Sequence, residues 1–369
     1  MISNDSRIYI YGAHSRGRTL GYYLKYLYPD LQIEAYLYDN DEENPREIGG
    51  VPVLRIDGTS NLHQDYPVYL ANRGVNHAHQ SQILGLCGMQ TIIPVDFKLD
   101  LKIRNAYLRK HFAESGRKFL KLEDMEISDH FDPAEGKGGG LSARIYVAHS
   151  AVDRPLQDLY ELKSYESIIQ VGASLTDIRW SGTGTDDSGD NISWRNVQFC
   201  ELTGLYWIWK NAREDVVGLV HYRRHFLFPE DWVERMTYHG IDVILPLPLY
   251  VGPNIEENYK SRHLGEDWDF MVEYLRQRDP DEAERIMSFF RTTALYSPCN
   301  MLAVRRAVLD DLCEWLFPIL FAVAEHGGQK EDAYMNRYPG FLAERLITYF
   351  FERHSEQYRV VYADKNFLQ

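Results

Sequence analysis

Cysteine is scarce in this chain of 369 residues: there are four, Cys87, Cys200, Cys299 and Cys313, far apart and with no Cys-x-x-Cys pair. That spacing excludes a disulfide framework or zinc knuckle as the organising device and points to a reducing, cytoplasmic setting. Long apolar runs are missing too. No window approaches the roughly 18 apolar residues of a membrane-spanning helix, and the polar stretch Met1 to Arg7 lacks the pattern of a secretion signal. Basic residues are outnumbered, 40 Lys and Arg against 54 Asp and Glu, for a net charge of −14. A chain this acidic does not bind nucleic acid or anionic lipid with its whole surface, although a local basic site for a phosphorylated ligand is compatible with it.

What remains is an ordinary globular composition, 44% hydrophobic and 25% charged, with aromatics at 13%. The length suggests two domains. Residues 7–11 (RIYIY) read as a buried strand, followed by the turn Gly12-Ala-His-Ser-Arg-Gly17, a helix over Thr19 to Leu27 and a second strand, Ile33 to Tyr38, ending in Asp39-Asn40-Asp41. Strand, glycine turn, helix, strand and acid is the opening of a nucleotide-binding α/β domain. Gly12 would permit the tight turn and Gly17 the close approach of helix to sheet. Asp39 lies where an acid meets a ribose hydroxyl, while His14 occupies the place of the middle glycine. Further strands are expected at Pro67 to Ala71 and Thr91 to Pro94, and a long helix at Lys98 to Leu120. We therefore expect a Rossmann-like nucleotide-binding or structural domain over 1–122. A Gly-rich linker follows over 123–142, and a second α/β domain over 143–369.

In the second domain, Arg144 to Ala148 reads as a strand, Ser150 to Leu162 as leading into a helix, and Asn196 to Asn211 as a helix. Thr176 to Asn191 reads as a long Gly/Asp-rich loop, disordered or a lid. Val216 to Val220 (VVGLV) is a buried strand running into His221, Tyr222, Arg223, Arg224 and His225. Strand alternation would send His221 and Arg223 to one side and Tyr222 and Arg224 to the other. An apolar strand that ends in a polar cluster is how an α/β sheet presents chemistry at its carboxyl edge. His221 and His225 are four apart, but without a carboxylate at Glu-x-x-His spacing they do not read as metal ligands. Asp186, Asp187 and Asp190 could take a hard cation, though a solvated loop explains them better. Leu309 to Val323 reads as an apolar helix interrupted by Pro318, more core than membrane contact. Trp268 to Arg276 reads as a helix capped by Asp267.

The stretch Asn191 to Phe226 (NISWRNVQFCELTGLYWIWKNAREDVVGLVHYRRHF), with DVILP at Asp242 to Pro246, Asn300-Met301, Trp315-Leu316-Phe317 and GFLAERL at Gly340 to Leu346, resembles a family of uncharacterised capsular-polysaccharide and exopolysaccharide glycosyltransferases. The resemblance covers roughly 143–350. It implies a GT-A-like domain with a mixed, mostly parallel sheet behind the Rossmann-like one. It also implies transfer of a hexose from a nucleoside-diphosphate sugar, a uridine one for preference, to a saccharide or lipid-linked saccharide acceptor. The expected location is cytoplasmic, leaving open a peripheral contact at the inner face of the cell membrane.

In GT-A enzymes the strand end taken here by His221-Tyr222-Arg223 carries an Asp-x-Asp that holds a divalent metal. Arginine forks can neutralise a diphosphate without one, so no metal ligand is assigned and a role for Mn or Mg stays open. By that resemblance His221, Tyr222, Arg223, Arg224 and Asn300 are donor-binding candidates, Arg262 and His263 face the acceptor, and Asp267, Asp269 or Glu344 is the catalytic base. Two alternatives stand beside it. One is a non-catalytic nucleotide-sugar sensor or assembly protein binding through Gly12, His14, Gly17 and Asp39. The other is an NAD-dependent sugar-nucleotide oxidoreductase or epimerase resting on the turn Gly12 to Gly17 and on Tyr206 and Lys210. Sugar, acceptor, stereochemistry and oligomeric state are not legible.

Overall fold

The computed structural model describes residues 6–72, 74–128 and 140–369. Most of the expected linker, 129–139, lies outside the described residues. The chain divides into two compact units, Met1–Phe119 and Leu120–Gln369.

The first unit is built on strands β1 (Arg7–Tyr11), β2 (Gln32–Tyr38), β3 (Glu47–Ile48), β4 (Val51–Arg55), β5 (Val68–Leu70) and β6 (Ile92–Pro94), in the order β3-β4-β2-β1-β5-β6. All neighbours are parallel except β3 and β4. Helices α1 (Ser15–Leu27), α2 (His77–Leu86) and α3 (Phe97–Glu114) complete it. This is the Rossmann-like order, with its switch point between β1 and β5. Gly12 has φ +125°, and a Cβ on Gly17 would sit 1.8 Å from the Gly12 carbonyl oxygen. Helix α1 can therefore reach the end of β1 only because residue 17 has no side chain.

The second unit is GT-A-like. Its sheet holds β7 (Ala143–Ser150), β8 (Glu166–Val171), β9 (Gly184–Thr185), β10 (Val216–His221), β11 (Val243–Pro246), β14 (Leu302–Arg305) and β15 (Val360–Ala363), in the order β15-β11-β14-β10-β7-β8-β9. A small separate pair joins β12 (Leu249–Tyr250) to β13 (Leu295–Tyr296). Every neighbouring pair in the main sheet is parallel except those of β14, which runs against both β10 and β11. The first five residues of β10 are all buried, the continuous apolar pattern of a strand covered on both faces. One face is covered by α4 (Asn196–Phe199), α5 (Leu202–Asn211), α8 (Gly265–Arg278), α9 (Pro280–Thr292), α10 (Arg306–Gly327) and α11 (Tyr338–Arg353). The other packs against α6 (Trp232–Tyr238) and residues 122–125. A short α7 (Ile255–Lys260) precedes α8.

Several local expectations are corrected. No helix forms within 151–163: Asp153 accepts from the Ser150 amide at 2.7 Å. Val152 and Leu159 in this stretch are 87% and 102% exposed, so a helix there would have no core to face. The 196–211 helix is broken at Cys200, whose φ is +48°. Helix α10 runs unbroken through Pro318. Helix α8 starts at Gly265, which puts Asp267 in its first turn rather than at its cap. Residues 176–191 fold around Asp186, fully buried and accepting from the amides of Gly172 and Ala173 and the hydroxyls of Ser193 and Thr203. That carboxylate is spent on structure.

The closest sheet contact is at Gly218, where an added Cβ would lie 2.5 Å from Ile145 Cδ1 and 2.7 Å from the Leu302 carbonyl oxygen. We expect Gly218→Ala to destabilise the second unit by roughly 1–3 kcal/mol, the usual cost of overpacking. All seven tryptophans fall between Trp180 and Trp315, so urea unfolding followed by tryptophan fluorescence reads this unit alone. An unchanged midpoint would show that the strands can part at no cost.

Candidate active site

The carboxyl edge of the second sheet gathers the polar residues. Strand β10 does not continue past His221. The amides and carbonyls of His221 and Arg224 bond reciprocally, at 3.1 and 3.0 Å, closing a hairpin with Tyr222 and Arg223 at its tip. The strand alternation expected for this run therefore fails: the chain reverses, pairing His221 with Arg224 across the hairpin. An Arg224 Nη donor lies 3.4 Å from His221 Nδ1. His225 points into the protein, its Nδ1 2.8 Å from Glu166 and its ring stacked on Tyr160. Residues 364–368 pair with the returning arm, through Leu227 N to Asp364 O, Asn366 N to His225 O and Leu368 N to Arg223 O.

Because β14 is antiparallel, the turn before it arrives beside the end of β10. This turn carries Cys299 (φ +80°) and Asn300 (φ +51°), which with Cys200 are the non-glycine residues of positive φ among those described. Such conformations cost on the order of 1–3 kcal/mol each and concentrate at functional sites. Two buried carboxylates hold the turn. Glu201 accepts from Asn300 Nδ2 at 2.8 Å and lies 3.8 Å from His221 Nε2. Glu344 accepts from the Cys299 amide at 2.5 Å and pairs with Arg345. His221 Nε2 donates to the Cys299 carbonyl at 2.5 Å. Gly340 in α11 accepts a second bond from Asn300 Nδ2 at 3.1 Å, leaving buried Asn300 Oδ1 without a partner.

The environments push these two acids apart. Burial acts to raise Glu201, but His221, the Asn300 amide and Arg337 together hold it below the ordinary carboxylate value. Glu344 is raised, by burial first and by the charge of Glu201, against the pull of Arg345 and the Cys299 amide. Burial also drives His221 down to about 4, against the pull of Glu201. Carboxylates of divergent acidity gripping one turn are an arrangement that divides acid–base roles.

Nearby, the His149 ring at the end of β7 stacks on Tyr222 (4.8 Å, 4°) and meets half-buried Trp180 at 4.6 Å. Asp153 is raised by burial while feeling the positive charge of Arg223 and Arg337. Arg337 Nε donates to Cys200 Sγ at 3.0 Å. Buried Nε of Arg223 has no hydrogen-bond partner among the described residues. No group of three or more His, Cys, Asp or Glu side chains placed to hold a metal ion occurs among the described residues.

Of the candidates, the structure brings together His221, Tyr222, Arg223, Arg224, Asn300 and Glu344. It keeps Asp267 and Asp269 elsewhere. The buried face of α8 packs on α10, so Asp267 is ion-paired with Lys330 at 3.0 Å, and Asp269 lies outside with Lys260 at 2.7 Å. Arg262 is exposed, and His263 is buried with its ring 4.0 Å from Phe341. Tyr206 bonds to Asp190 at 3.2 Å, and Lys210 lies over the rings of Trp209 and Tyr206. In the first unit, Gly12 and Gly17 meet at the switch point as described, while exposed His14 pairs with Glu42 at 3.3 Å and Asp39 with His79 at 3.1 Å. Sequence reasoning passed over Glu201, His149, Asp153, Trp180 and Arg337. Only Glu201 carried a signal, its place in the Cys-Glu-Leu-Thr run.

Residues 144–356 match the model of a family described as a domain of unknown function, DUF4422. A solved structure titled as the apo form of the WbbM bifunctional glycosyltransferase is similar with TM-score 0.54 and 26% identity, covering 62% of this chain and 45% of that one. This chain thus spans less than half of that protein. No curated protein matches.

The histidines set a pH dependence of stability. Burial lowers both His221, to about 4, and His263, to about 3, the latter helped by Arg345 and Arg262. An unfolded histidine titrates near 6.5, so between these values the unfolded chain binds more protons and stability falls as pH falls. We expect the melting temperature to be level above about pH 6.5 and to drop from there towards pH 4. His263→Asn should flatten part of that slope, and an identical slope would remove this histidine from the effect.

Proposed function

The chain belongs to the DUF4422 family, and we propose that its second unit is a glycosyltransferase. It would move a hexose from a nucleoside-diphosphate sugar, a uridine one for preference, to a hydroxyl of a surface polysaccharide or its lipid-linked precursor. The observation that carries this reading is the turn Cys299–Asn300, strained and gripped by two carboxylates of divergent acidity at the carboxyl edge of a GT-A-like sheet. Likeness to a glycosyltransferase structure supports it.

The division of labour follows from the side chains. The rings of His149 and Trp180 offer an aromatic wall for the nucleobase. Arg223, with its unpartnered Nε, and Arg224 stabilise the charge that develops on the departing diphosphate. Asn300 Oδ1 accepts from a sugar hydroxyl, and ionised Glu201 stabilises positive charge growing at the anomeric carbon. In an inverting displacement, the acceptor oxygen forms its bond to that carbon as the bond to the diphosphate oxygen breaks. The acceptor proton passes to Glu344, whose raised pKa makes it the stronger base of the two. If the outcome is retention, Glu344 loses that role and the arginines keep theirs. The arginines carry the leaving-group charge in this scheme, a role for Mn or Mg beside them stays open, and turnover measured with and without a chelator decides it.

Melting the protein with a panel of uridine, guanosine, thymidine and cytidine diphosphate sugars tests the donor. Ligand at about a hundred times Kd stabilises by roughly 2.7 kcal/mol. We expect a shift with one sugar nucleotide and release of its nucleoside diphosphate. Arg223→Ala should cut that release at least tenfold, about 1.4 kcal/mol of barrier, with the fold intact. Full turnover in a folded Arg223→Ala protein would take this residue out of the site. Stabilisation without release in any acceptor mixture would favour a sensor over an enzyme.

The first unit supports a second reading, a nucleotide site of its own. There Gly17 lets the start of α1 close on the Gly12 carbonyl, with Asp39 offered to a ribose hydroxyl. Two nucleotides bound per chain by calorimetry, falling to one in Asp39→Ala, is the expected outcome; one per chain in both proteins would leave the first unit structural.

A further inference from the structure

Tyr334 is 52% exposed, although its ring lies 5.0 Å from Phe341 and 5.9 Å from His263. Phe341, half-buried in the first turns of α11, stacks on His263 at 4.0 Å and 22°. Below the rings His263 is 8% exposed with no partner for Nδ1, an unsatisfied polar atom that a bare aromatic cluster does not require. The three rings make a ledge open on the Tyr334 side.

That ledge is joined to the reacting centre twice. Through α11, Phe341 stands between Gly340, whose carbonyl holds Asn300, and Glu344, which holds the Cys299 amide. Through the preceding turn, Tyr334 leads to Arg337, whose guanidinium lies 5.8 Å from the Phe341 ring and reaches Cys200 beside Glu201. A pyranose presents an apolar face of C–H groups with hydroxyls at its rim. An aromatic ring with a wet polar end matches both parts of it.

We propose that Tyr334, backed by Phe341 and His263, is the stacking platform for the acceptor saccharide, delivering a hydroxyl towards Glu344. The proposal rests on the transferase reading above and deepens it. His263 here supports the platform from beneath and does not itself touch the sugar. Arg337 stands at the boundary, where it can bond to acceptor hydroxyls or to the donor.

The test separates acceptor from donor. In the full chain, donor hydrolysis and donor-induced stabilisation are measured for wild type, Tyr334→Ala and Tyr334→Phe. Turnover is then followed as methyl hexopyranosides of both anomeric forms are added, and saturation-transfer NMR reads contact with their C–H protons in the presence of nucleoside diphosphate. We expect Tyr334→Ala to raise the KM for the glycoside about tenfold and to lose the NMR transfer. Donor hydrolysis and the donor-induced shift should stay as in wild type in both variants, and Tyr334→Phe should keep the NMR transfer and raise KM far less than Tyr334→Ala. Equal KM and equal saturation transfer in Tyr334→Ala would overturn the platform while leaving the transferase standing. Loss of donor binding in that variant would also overturn it, by making Tyr334 a donor or structural residue. If wild type neither binds nor cleaves a donor, the transferase reading falls and takes the platform with it.

Discussion

The register between β10 and β14 is the constraint on which the candidate site depends. Pairing Leu219 with Leu302 puts His221 opposite the Cys299 carbonyl, and with it the whole turn that Glu201 and Glu344 grip. Gly218 lets the two backbones and Ile145 close to a distance that no side chain would allow. A slip of one residue would turn every side chain of β14 to the opposite face of the sheet and take Asn300 out of reach of Glu201. Packing in the sheet and chemistry at its edge are thus one problem.

The edge is built against local stability. Three non-glycine residues sit at positive φ, and two carboxylates are held with side chains 11% and 16% exposed. Burying an acid is costly unless it is bonded, and an unmatched polar atom adds to that cost. Glu201 is held low by the groups around it, Asn300 and Arg337 among them; Glu344 is left with a raised pKa by its burial first and by the charge of Glu201 second. The second unit's extensive core offsets these local penalties. By contrast, Asp186 and the pair His225–Glu166 are buried polar groups with their bonds satisfied. They hold loops, and nothing in them is left over for a ligand.

The difference between those two kinds of buried group was invisible in one dimension. Asp186, Asp187 and Asp190 read as one acidic run, yet one is the fully buried centre of a loop and Asp190 accepts from Tyr206. Asp267 and Glu344 looked equivalent as bases. The buried face of α8 turns the first to Lys330, and α11 turns the second to the Cys299 amide. The hairpin at Tyr222–Arg223 went unrecognised because its turn lacks the Asn-Gly or Gly-rich signal that usually marks a two-residue reversal.

What the sequence determined by itself is the strand–glycine turn–helix–strand opening of the first unit, the central strand of the second and the sheet edge where polar residues emerge. The glycine turn, the buried run VVGLV and the His-Tyr-Arg-Arg cluster each follow from the period and residue preference of a few neighbours. Only the tertiary structure decided that Glu201, Asn300, Cys299, His221 and Glu344 form one network. Its bonds join residues 99, 78 and 45 positions apart, and such contacts depend on strand register and helix rotation. Those are set by how the whole core closes, and no local pattern encodes them.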